Sequence, residues 1–156
     1  MTADWLSKMY DKKVILYVDY SRTFTDIIDN FNDNDDYIIA TAFDADDAIN
    51  KVKVLGDKVY LLIIDMSVSK PKISAPALYE RYLRPILLKD NIPIIFQITK
   101  DLKKCHIFTY RIKRLINTGI ADIIFKPYTK EQLLCTIKNL VNKFGDRILE
   151  NNIEGK

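Results

Sequence analysis

Five short apolar runs, separated by segments with a helical pattern, constrain the fold of this chain more than any other feature. Their β-branched and aromatic content, and the lack of polar alternation in three of them, are typical of strands covered on both faces. Strands that alternate with helices predict right-handed crossovers and a mostly parallel sheet. The sequence therefore predicts an α/β fold with helices on both faces of the sheet. The runs are residues 14–18, 37–43, 59–64, 92–98 and 122–125.

Helix start and stop signals lie between these runs. Asp44 is a candidate N-cap, and Gly56 is the matching stop. Thr129 opens a capping box before the last amphipathic helix. Residues 74–89 are also predicted to be helical, although Pro85 should kink or shorten that helix.

Length and composition limit the classes of function. The chain has 156 residues, of which 48% are hydrophobic and 29% are charged, which is typical of one soluble domain. No apolar run approaches the ~18 residues of a membrane span, and no signal peptide is evident, so we expect a cytoplasmic protein without membrane insertion. Cys105 and Cys135 lack disulfide or zinc spacing and are predicted to be reduced core thiols. No glycine-rich phosphate loop or G-x-S-x-G elbow is present, and we do not expect an enzyme.

Three charged residues stand where predicted strands end. Asp19 follows the first run, Asp65 follows the third and Lys126 follows the fifth. In parallel α/β sheets the functional crevice lies beyond the carboxyl ends of the strands. Two carboxylates and an ammonium there form a candidate site for a cation and a phosphate. The alternative is that each residue merely solvates the end of its strand.

Three stretches together resemble the receiver domains of two-component response regulators. They are "VILYVDYSRTF", "VYLLIID" and "NTGIADIIFKPYTKEQLL". The resemblance covers roughly residues 12–144 and leaves 1–11 as an N-terminal extension and 145–156 as a C-terminal tail. It implies a flavodoxin-like, doubly wound sheet of five parallel strands in the order 2-1-3-4-5.

The resemblance also implies roles for individual residues. Asp65 would accept a phosphoryl group from a histidine kinase, and Lys126 would contact the phosphate. Mg²⁺ would be held by Asp19, by Asp65 and by the backbone carbonyl of Ser67.

Two departures from the receiver pattern weaken this chemistry. Tyr20 occupies the place of the second acid, which in receivers usually ligates the metal directly. The switch hydroxyl is expected at residue 98, which is Ile98, and Thr99 stands one place late. A shift of one residue along a strand turns a side chain to the other face unless a bulge restores it. We therefore expect Mg²⁺ binding to be weak or absent, and phosphorylation to be slow or absent.

The charge distribution predicts a surface for a partner. Thr23 to Asn50 holds eight aspartates and no Lys or Arg, whereas Lys100 to Arg114 holds six Lys or Arg and one Asp. The basic segment lies in a predicted helix from Thr99 to residue 117. A signalling protein, such as a histidine kinase, is the expected partner, and the acidic segment also offers a homodimer contact. The predicted partner-binding residues are Lys103, Lys104, Arg111, Arg114 and Tyr128.

Three functions remain open on the sequence. The first is a stand-alone, atypical receiver-like domain that signals through protein–protein contact, with little or no dependence on phosphorylation and no attached output domain. The second is a weakly phosphorylatable response regulator that accepts a phosphoryl group on Asp65. The third is nucleic-acid binding through the basic fourth helix, which is the least favoured because the aromatic residues of that segment have helical packing spacing.

Overall fold

The described part of the chain contains one parallel sheet. A computed structural model describes residues 12–19, 36–67, 73–87, 92–99 and 110–154, and it describes only the backbone of Thr99 and of residues 146–154. The strands are β1 (Lys13–Val18), β2 (Tyr37–Ala42), β3 (Val59–Asp65), β4 (Ile94–Thr99) and β5 (Ala121–Lys126). They are hydrogen-bonded in the order β2-β1-β3-β4-β5, and every neighbouring pair is parallel. The predicted fold class and strand order are confirmed.

The helices of the described ranges follow the predicted alternation. A 3₁₀ turn, Gly56–Lys58, ends the first of them, and a π-helical turn, Leu78–Leu83, joins the second to the third. A helix predicted between β1 and β2 lies outside the described residues. The helices are α1 (Ala45–Leu55), α2 (Ala75–Ala77), α3 (Arg84–Leu87), α4 (Tyr110–Asn117) and α5 (Lys130–Glu154).

The predicted caps are formed by side chains. Asp44 accepts a hydrogen bond from the backbone N–H of Asp47 at 2.7 Å, and Gly56 ends α1 with φ at 53°. Thr129 Oγ1 accepts from the N–H of Gln132 at 3.1 Å, and Gln132 Oε1 accepts from the N–H of Thr129 at 2.8 Å. This reciprocal pair is the predicted capping box, and it fixes where α5 begins.

The helical turn before Pro85 is widened, whereas the sequence predicted a kink or a shorter helix. The N–H of Arg84 bonds to the carbonyl of Tyr79, five residues back, which is the π-helical pattern. Pro85 has no N–H, and its ring crowds the preceding turn. Widening that turn keeps most backbone groups paired while the helix continues to Leu87.

Apolar residues pack on both faces of the sheet, and the alternation of the strands decides which face each residue occupies. Leu16, Leu62 and Phe96 lie in the core that α1 covers. Ile15 and Ile63 lie in the other core, together with buried residues of α5. Residues an even number of positions apart on a strand point to the same face. Asp19 therefore lies on the same face as Ile15, and Asp65 on the same face as Ile63, which is the face that α5 covers.

Both of the last two helices were predicted, and the second is longer than expected. The predicted helix from Thr99 to residue 117 is seen as α4, with Gly119 at φ 76° after its end, while residues 100–109 lie outside the described part. α5 runs to Glu154, past the boundary at 144, because Gly145 costs a helix only about 1 kcal/mol and does not stop it. The residues predicted to be a tail are therefore helical as far as Glu154.

Cys135 is exposed on α5, so its prediction as a core thiol was wrong. The buried stripe of α5 runs through Leu133, Ile137 and Leu140, and position 135 falls between its members on the outer side. Cys105 lies outside the described residues. Across the ranges that the structure describes, none of the helices combines the length and apolar composition that crossing a bilayer requires.

Candidate functional site

The carboxyl ends of β1, β3 and β5 bring the three predicted charged side chains together. Lys126 Nζ lies 2.9 Å from Asp19 Oδ2 and 2.6 Å from Asp65 Oδ2. All three residues are buried: Asp19 is 5% exposed, Asp65 1% and Lys126 8%. A buried ion pair is stable only when its geometry is good and the remaining lone pairs are satisfied. These residues therefore form one connected site instead of solvating separate strand ends.

Gln97 of β4, which sequence reasoning missed, completes this site. The register pairs Gln97 with Asp65, and its side chain is fully buried. Its Nε2 donates to Asp19 Oδ2 at 3.0 Å and to Asp65 Oδ2 at 2.6 Å. One amide nitrogen therefore bridges the same two carboxylate oxygens that Lys126 bridges.

Two buried tyrosines hold the other end of the Gln97 amide. Tyr17 donates to Gln97 Oε1 at 2.8 Å, and the Tyr128 hydroxyl also donates to Oε1. The Tyr17 hydroxyl lies 3.2 Å from Asp19 Oδ2 and 3.4 Å from the Tyr128 hydroxyl. Because the carbonyl oxygen accepts and the NH₂ group donates, only one orientation of the amide satisfies all of these partners.

The second oxygen of Asp65 is bound locally. Ser67 donates to Asp65 Oδ1 through its backbone N–H at 2.8 Å and through its hydroxyl. Burial alone would raise the pKa of Asp65, but hydrogen bonds from Lys126, Ser67 and Gln97 outweigh it and hold the pKa below its usual range. Asp65 is therefore ionised at neutral pH, and each of its oxygens accepts at least two hydrogen bonds.

The tyrosines of the site are held neutral. Burial raises the pKa of Tyr17 above its ordinary value, and the neighbouring Tyr128 and Asp19 raise it further. Burial also raises the pKa of Tyr128, with added repulsion from Asp19 and Asp65. Both hydroxyls therefore keep their protons as hydrogen-bond donors to Gln97.

The donor set of this site does not fit a magnesium ion. Mg²⁺ takes near-octahedral oxygen ligands at about 2.0–2.1 Å. The site offers two carboxylates, and an amide NH₂ and an ammonium lie against the oxygens that a shared ion would need. The described residues hold no group of three or more His, Cys, Asp or Glu placed to bind a metal. The prediction of weak or absent Mg²⁺ binding stays a prediction.

The remaining predicted site residues have mixed positions. The register pairs Thr99 with Lys126. The side chain of Thr99 is not described, so its role as a switch hydroxyl stays a prediction. Ser67 meets Asp65 through donors, whereas its predicted role was to offer a carbonyl to a metal. Tyr20 lies outside the described residues.

The predicted partner-binding residues are divided between the surface and the interior. Arg111 is half-buried on α4, and Arg114 is exposed, with its guanidinium 3.4 Å from Glu80. Tyr128 is 7% exposed with its hydroxyl on Gln97, so the structure places it inside the site and not on a partner surface. The sequence did not indicate this, because Tyr128 follows the end of a strand. Burial at such a position depends on side chains of neighbouring strands, here Gln97 of β4. Lys103 and Lys104 lie outside the described residues.

A signal for Gln97 was present in the sequence. The run 92–98, "IPIIFQI", contains one polar residue among apolar ones, and a buried polar residue needs partners. Nothing in the run names those partners, because Tyr17 is 80 positions away along the chain. Tyr17 carried no separate signal, since a tyrosine fits an apolar strand equally well.

Solved structures of receiver domains share the fold of this chain, and two curated proteins are similar to it in sequence. The response regulator receiver domain protein of Clostridium thermocellum superposes with a TM-score of 0.62 at 20% identity, over 85% of this chain and 97% of that one. Hybrid signal transduction histidine kinase D of Dictyostelium discoideum is 25% identical over 137 residues, or 85% of this chain and 8% of that protein. The probable transcriptional regulator ycf29 of Porphyra purpurea is 30% identical over 121 residues, or 76% of this chain and 54% of that protein.

This chain spans about half the length of one of these two curated relatives and under a tenth of the other. No protein-family model matches the chain. The fold is that of a response regulator receiver domain, as the resemblance implied.

Proposed function

We propose that the chain is an atypical receiver-like signalling domain that acts through protein–protein contact, with little or no dependence on phosphorylation. The observation that carries this proposal is the double bridge over the two acids. Lys126 and Gln97 each bind Asp19 and Asp65 at once, at 2.6–3.0 Å. The site is thereby satisfied from within the chain, so the fold around it does not need a bound ion or a phosphoryl group.

The same contacts oppose phosphoryl transfer to Asp65. A carboxylate oxygen of Asp65 would attack the phosphorus of a phosphohistidine, forming an acyl phosphate P–O bond as the P–N bond breaks and the imidazole takes a proton. Both oxygens of Asp65 already accept hydrogen bonds from buried or neighbouring donors. An attacking oxygen must first lose some of them, and losing a hydrogen bond to a charged group costs about 1.5–3 kcal/mol. We therefore expect transfer to be slow.

Intact-mass measurement during incubation with acetyl phosphate or phosphoramidate tests this directly. We expect little addition of a phosphoryl group to the wild type, and none to Asp65→Asn. Asp57→Asn, an exposed aspartate, is the matched control for the loss of one acid. Rapid and near-complete phosphorylation that disappears in Asp65→Asn alone would overturn the proposal.

That outcome would favour the second candidate, a weakly phosphorylatable response regulator with Asp65 as the acceptor. Its support is electrostatic, because the lowered pKa of Asp65 keeps the nucleophile ionised and Lys126 lies close enough to contact a phosphate. A histidine kinase would then be the phosphoryl donor. A hybrid signal transduction histidine kinase is one of the proteins that this chain resembles.

The exposed side of α4 is the proposed contact for a signalling partner. Tyr110 is 78% exposed there, and the Arg114 side chain, one turn later, is 53% exposed. Tyrosine and arginine are enriched at protein interfaces and at their energetic hot spots. Homodimer formation, a cytoplasmic location and the absence of enzymatic activity stay predictions.

A further inference from the structure

We propose that Gln97 is the residue that excludes divalent cations from the acidic site, because its amide NH₂ occupies the position between Asp19 and Asp65 that a shared cation would need. This inference deepens the proposed function and rests on it for its biological meaning.

The amide nitrogen of Gln97 lies within hydrogen-bond distance of both acids. Gln97 Nε2 lies 3.0 Å from Asp19 Oδ2 and 2.6 Å from Asp65 Oδ2. A magnesium ion shared by these oxygens would sit at about 2.0–2.1 Å from each. On the side of these oxygens that Gln97 occupies, the ion would meet the amide hydrogens, which carry partial positive charge and repel it. The NH₂ group and the ion therefore cannot share the site.

The amide also cannot turn away at low cost. Rotating it by half a turn would place Oε1 against two carboxylates and NH₂ against the hydroxyls of Tyr17 and Tyr128. Gln97 is fully buried, so water does not compensate for the lost hydrogen bonds. The two tyrosines are thus positioning residues that keep the donor end of Gln97 on the acids.

Lys126 supplies the charge that a metal would otherwise bring. Its ammonium lies 2.6 Å and 2.9 Å from the two acids. Among the described residues, no buried side-chain nitrogen or oxygen lacks a hydrogen-bond partner. One ammonium and one amide therefore stabilise the acid pair without an ion.

This mechanism differs from the one that the sequence suggests. The sequence attributes the loss of metal binding to Tyr20, which replaces a carboxylate. If Gln97 is the cause, restoring that carboxylate is not sufficient. Tyr20→Asp alone should raise the metal affinity by no more than about threefold over that of the wild type, which is the size of effect that an ordinary substitution has. Gln97→Ala should bind on the order of tenfold more tightly, the lower end of effects seen when groups around a metal are changed.

The experiment is a titration of the whole chain with Mn²⁺, followed by electron paramagnetic resonance of the free ion, and with Mg²⁺, followed by calorimetry. The four proteins are the wild type, Tyr20→Asp, Gln97→Ala and the double variant. We expect binding to rise only when Gln97 is replaced, and to be tightest in the double variant. Gln132→Ala, which removes the same side-chain type from the capping box, is the matched control and should bind like the wild type.

A second route keeps the test open if Gln97→Ala does not fold, as judged by circular dichroism. The double variant Tyr17→Phe and Tyr128→Phe retains both rings and releases the hold on Gln97 Oε1, together with the 3.2 Å contact from the Tyr17 hydroxyl to Asp19 Oδ2. It should also increase Mn²⁺ affinity. Two results would overturn the inference: a wild type that binds Mn²⁺ as tightly as the Gln97 and tyrosine variants, or a Tyr20→Asp variant that recovers full affinity with Gln97 in place. Phosphorylation and partner binding are measured separately, so failure here is distinct from failure of the proposed function.

Discussion

At the scale of the residue, the site shows how two buried acids are held by donors from one chain. Asp19 and Asp65 share one ammonium and one amide, and both residues are almost fully buried. Removing one partner of a buried ion pair leaves an uncompensated charge, whereas removing both partners can be nearly neutral. The network is therefore more sensitive to single substitutions than to matched pairs.

Lys126→Met tests this sensitivity. We expect the single change to lower the free energy of unfolding by about 3–5 kcal/mol, because two carboxylates would remain buried without their ammonium. Adding Asp19→Asn should recover part of that loss. Urea denaturation of both variants and of Asp19→Asn alone completes the cycle, and strictly additive effects would contradict coupling between these side chains.

Tyr79 gives the chain a dependence on alkaline pH. Its hydroxyl donates to the carbonyl of Ile92 at 2.7 Å, and burial raises the pKa of Tyr79 to about 12. A tyrosine in the unfolded chain titrates at about pH 10. Above that pH the unfolded state loses a proton that the folded state retains, so the free energy of unfolding falls with rising pH.

We therefore expect Tyr79→Phe to flatten the decline in stability between about pH 10 and pH 12, measured by chemical denaturation across that range. At neutral pH the variant should lose about 1 kcal/mol with the hydrogen bond. Tyr82→Phe removes a hydroxyl from a more exposed ring of the same turn and is the matched control. A Tyr79→Phe decline as steep as that of the wild type would contradict the expectation.

At the scale of the element, two glycines with open surroundings should respond oppositely to the same change. A Cβ added at Gly145 or at Gly56 meets no atom within 4 Å. Gly145 lies inside α5, whereas Gly56 has φ at 53°, a conformation that residues with a Cβ adopt at a cost. Because a Cβ has room at both positions, the backbone conformation decides whether alanine raises or lowers the free energy of unfolding.

Gly145→Ala should raise the free energy of unfolding by about 0.5–1 kcal/mol, since alanine favours the helix and restricts the unfolded chain. Gly56→Ala should lower it by about 1–3 kcal/mol, because its backbone lies in a sparsely populated region. Shifts of the urea midpoint at unchanged slope report both effects. Destabilisation by Gly145→Ala would show that α5 does not continue as a helix through this position.

At the scale of the whole molecule, the separation of charge along the chain should decide association more than stability. The exposed contact between Arg114 and Glu80 is of a kind worth only ~0–1 kcal/mol. Charged surfaces act more strongly on the choice of partner and on the rate of encounter. The basic helix is therefore expected to be dispensable for folding.

Replacing Lys103, Lys104, Arg111 and Arg114 by glutamate should leave the circular dichroism spectrum unchanged and abolish partner capture at physiological salt. Lys53→Glu with Lys58→Glu, which reverses charges away from α4, is the control for non-specific charge effects. Titration with generic duplex DNA at several salt concentrations tests the nucleic-acid alternative, which predicts salt-dependent binding that the four reversals remove. An unfolded variant, or one that captures every wild-type partner, would contradict the assignment of this surface.

The sequence by itself determined the elements of this protein. Period and capping are local properties, so the strands and the caps of Asp44 and Thr129 could be predicted from neighbouring residues. The strand-end placement of Asp19, Asp65 and Lys126 followed from the same pattern. The order of the sheet came only from the resemblance to receiver domains. Only the tertiary structure decided what these residues contact, because Gln97, Tyr17 and Tyr128 come from separate strands and a loop. A buried amide can bind two acids only if the register of the strands and the face of each side chain bring them together. Sequence spacing does not encode either property, because the strands are distant along the chain.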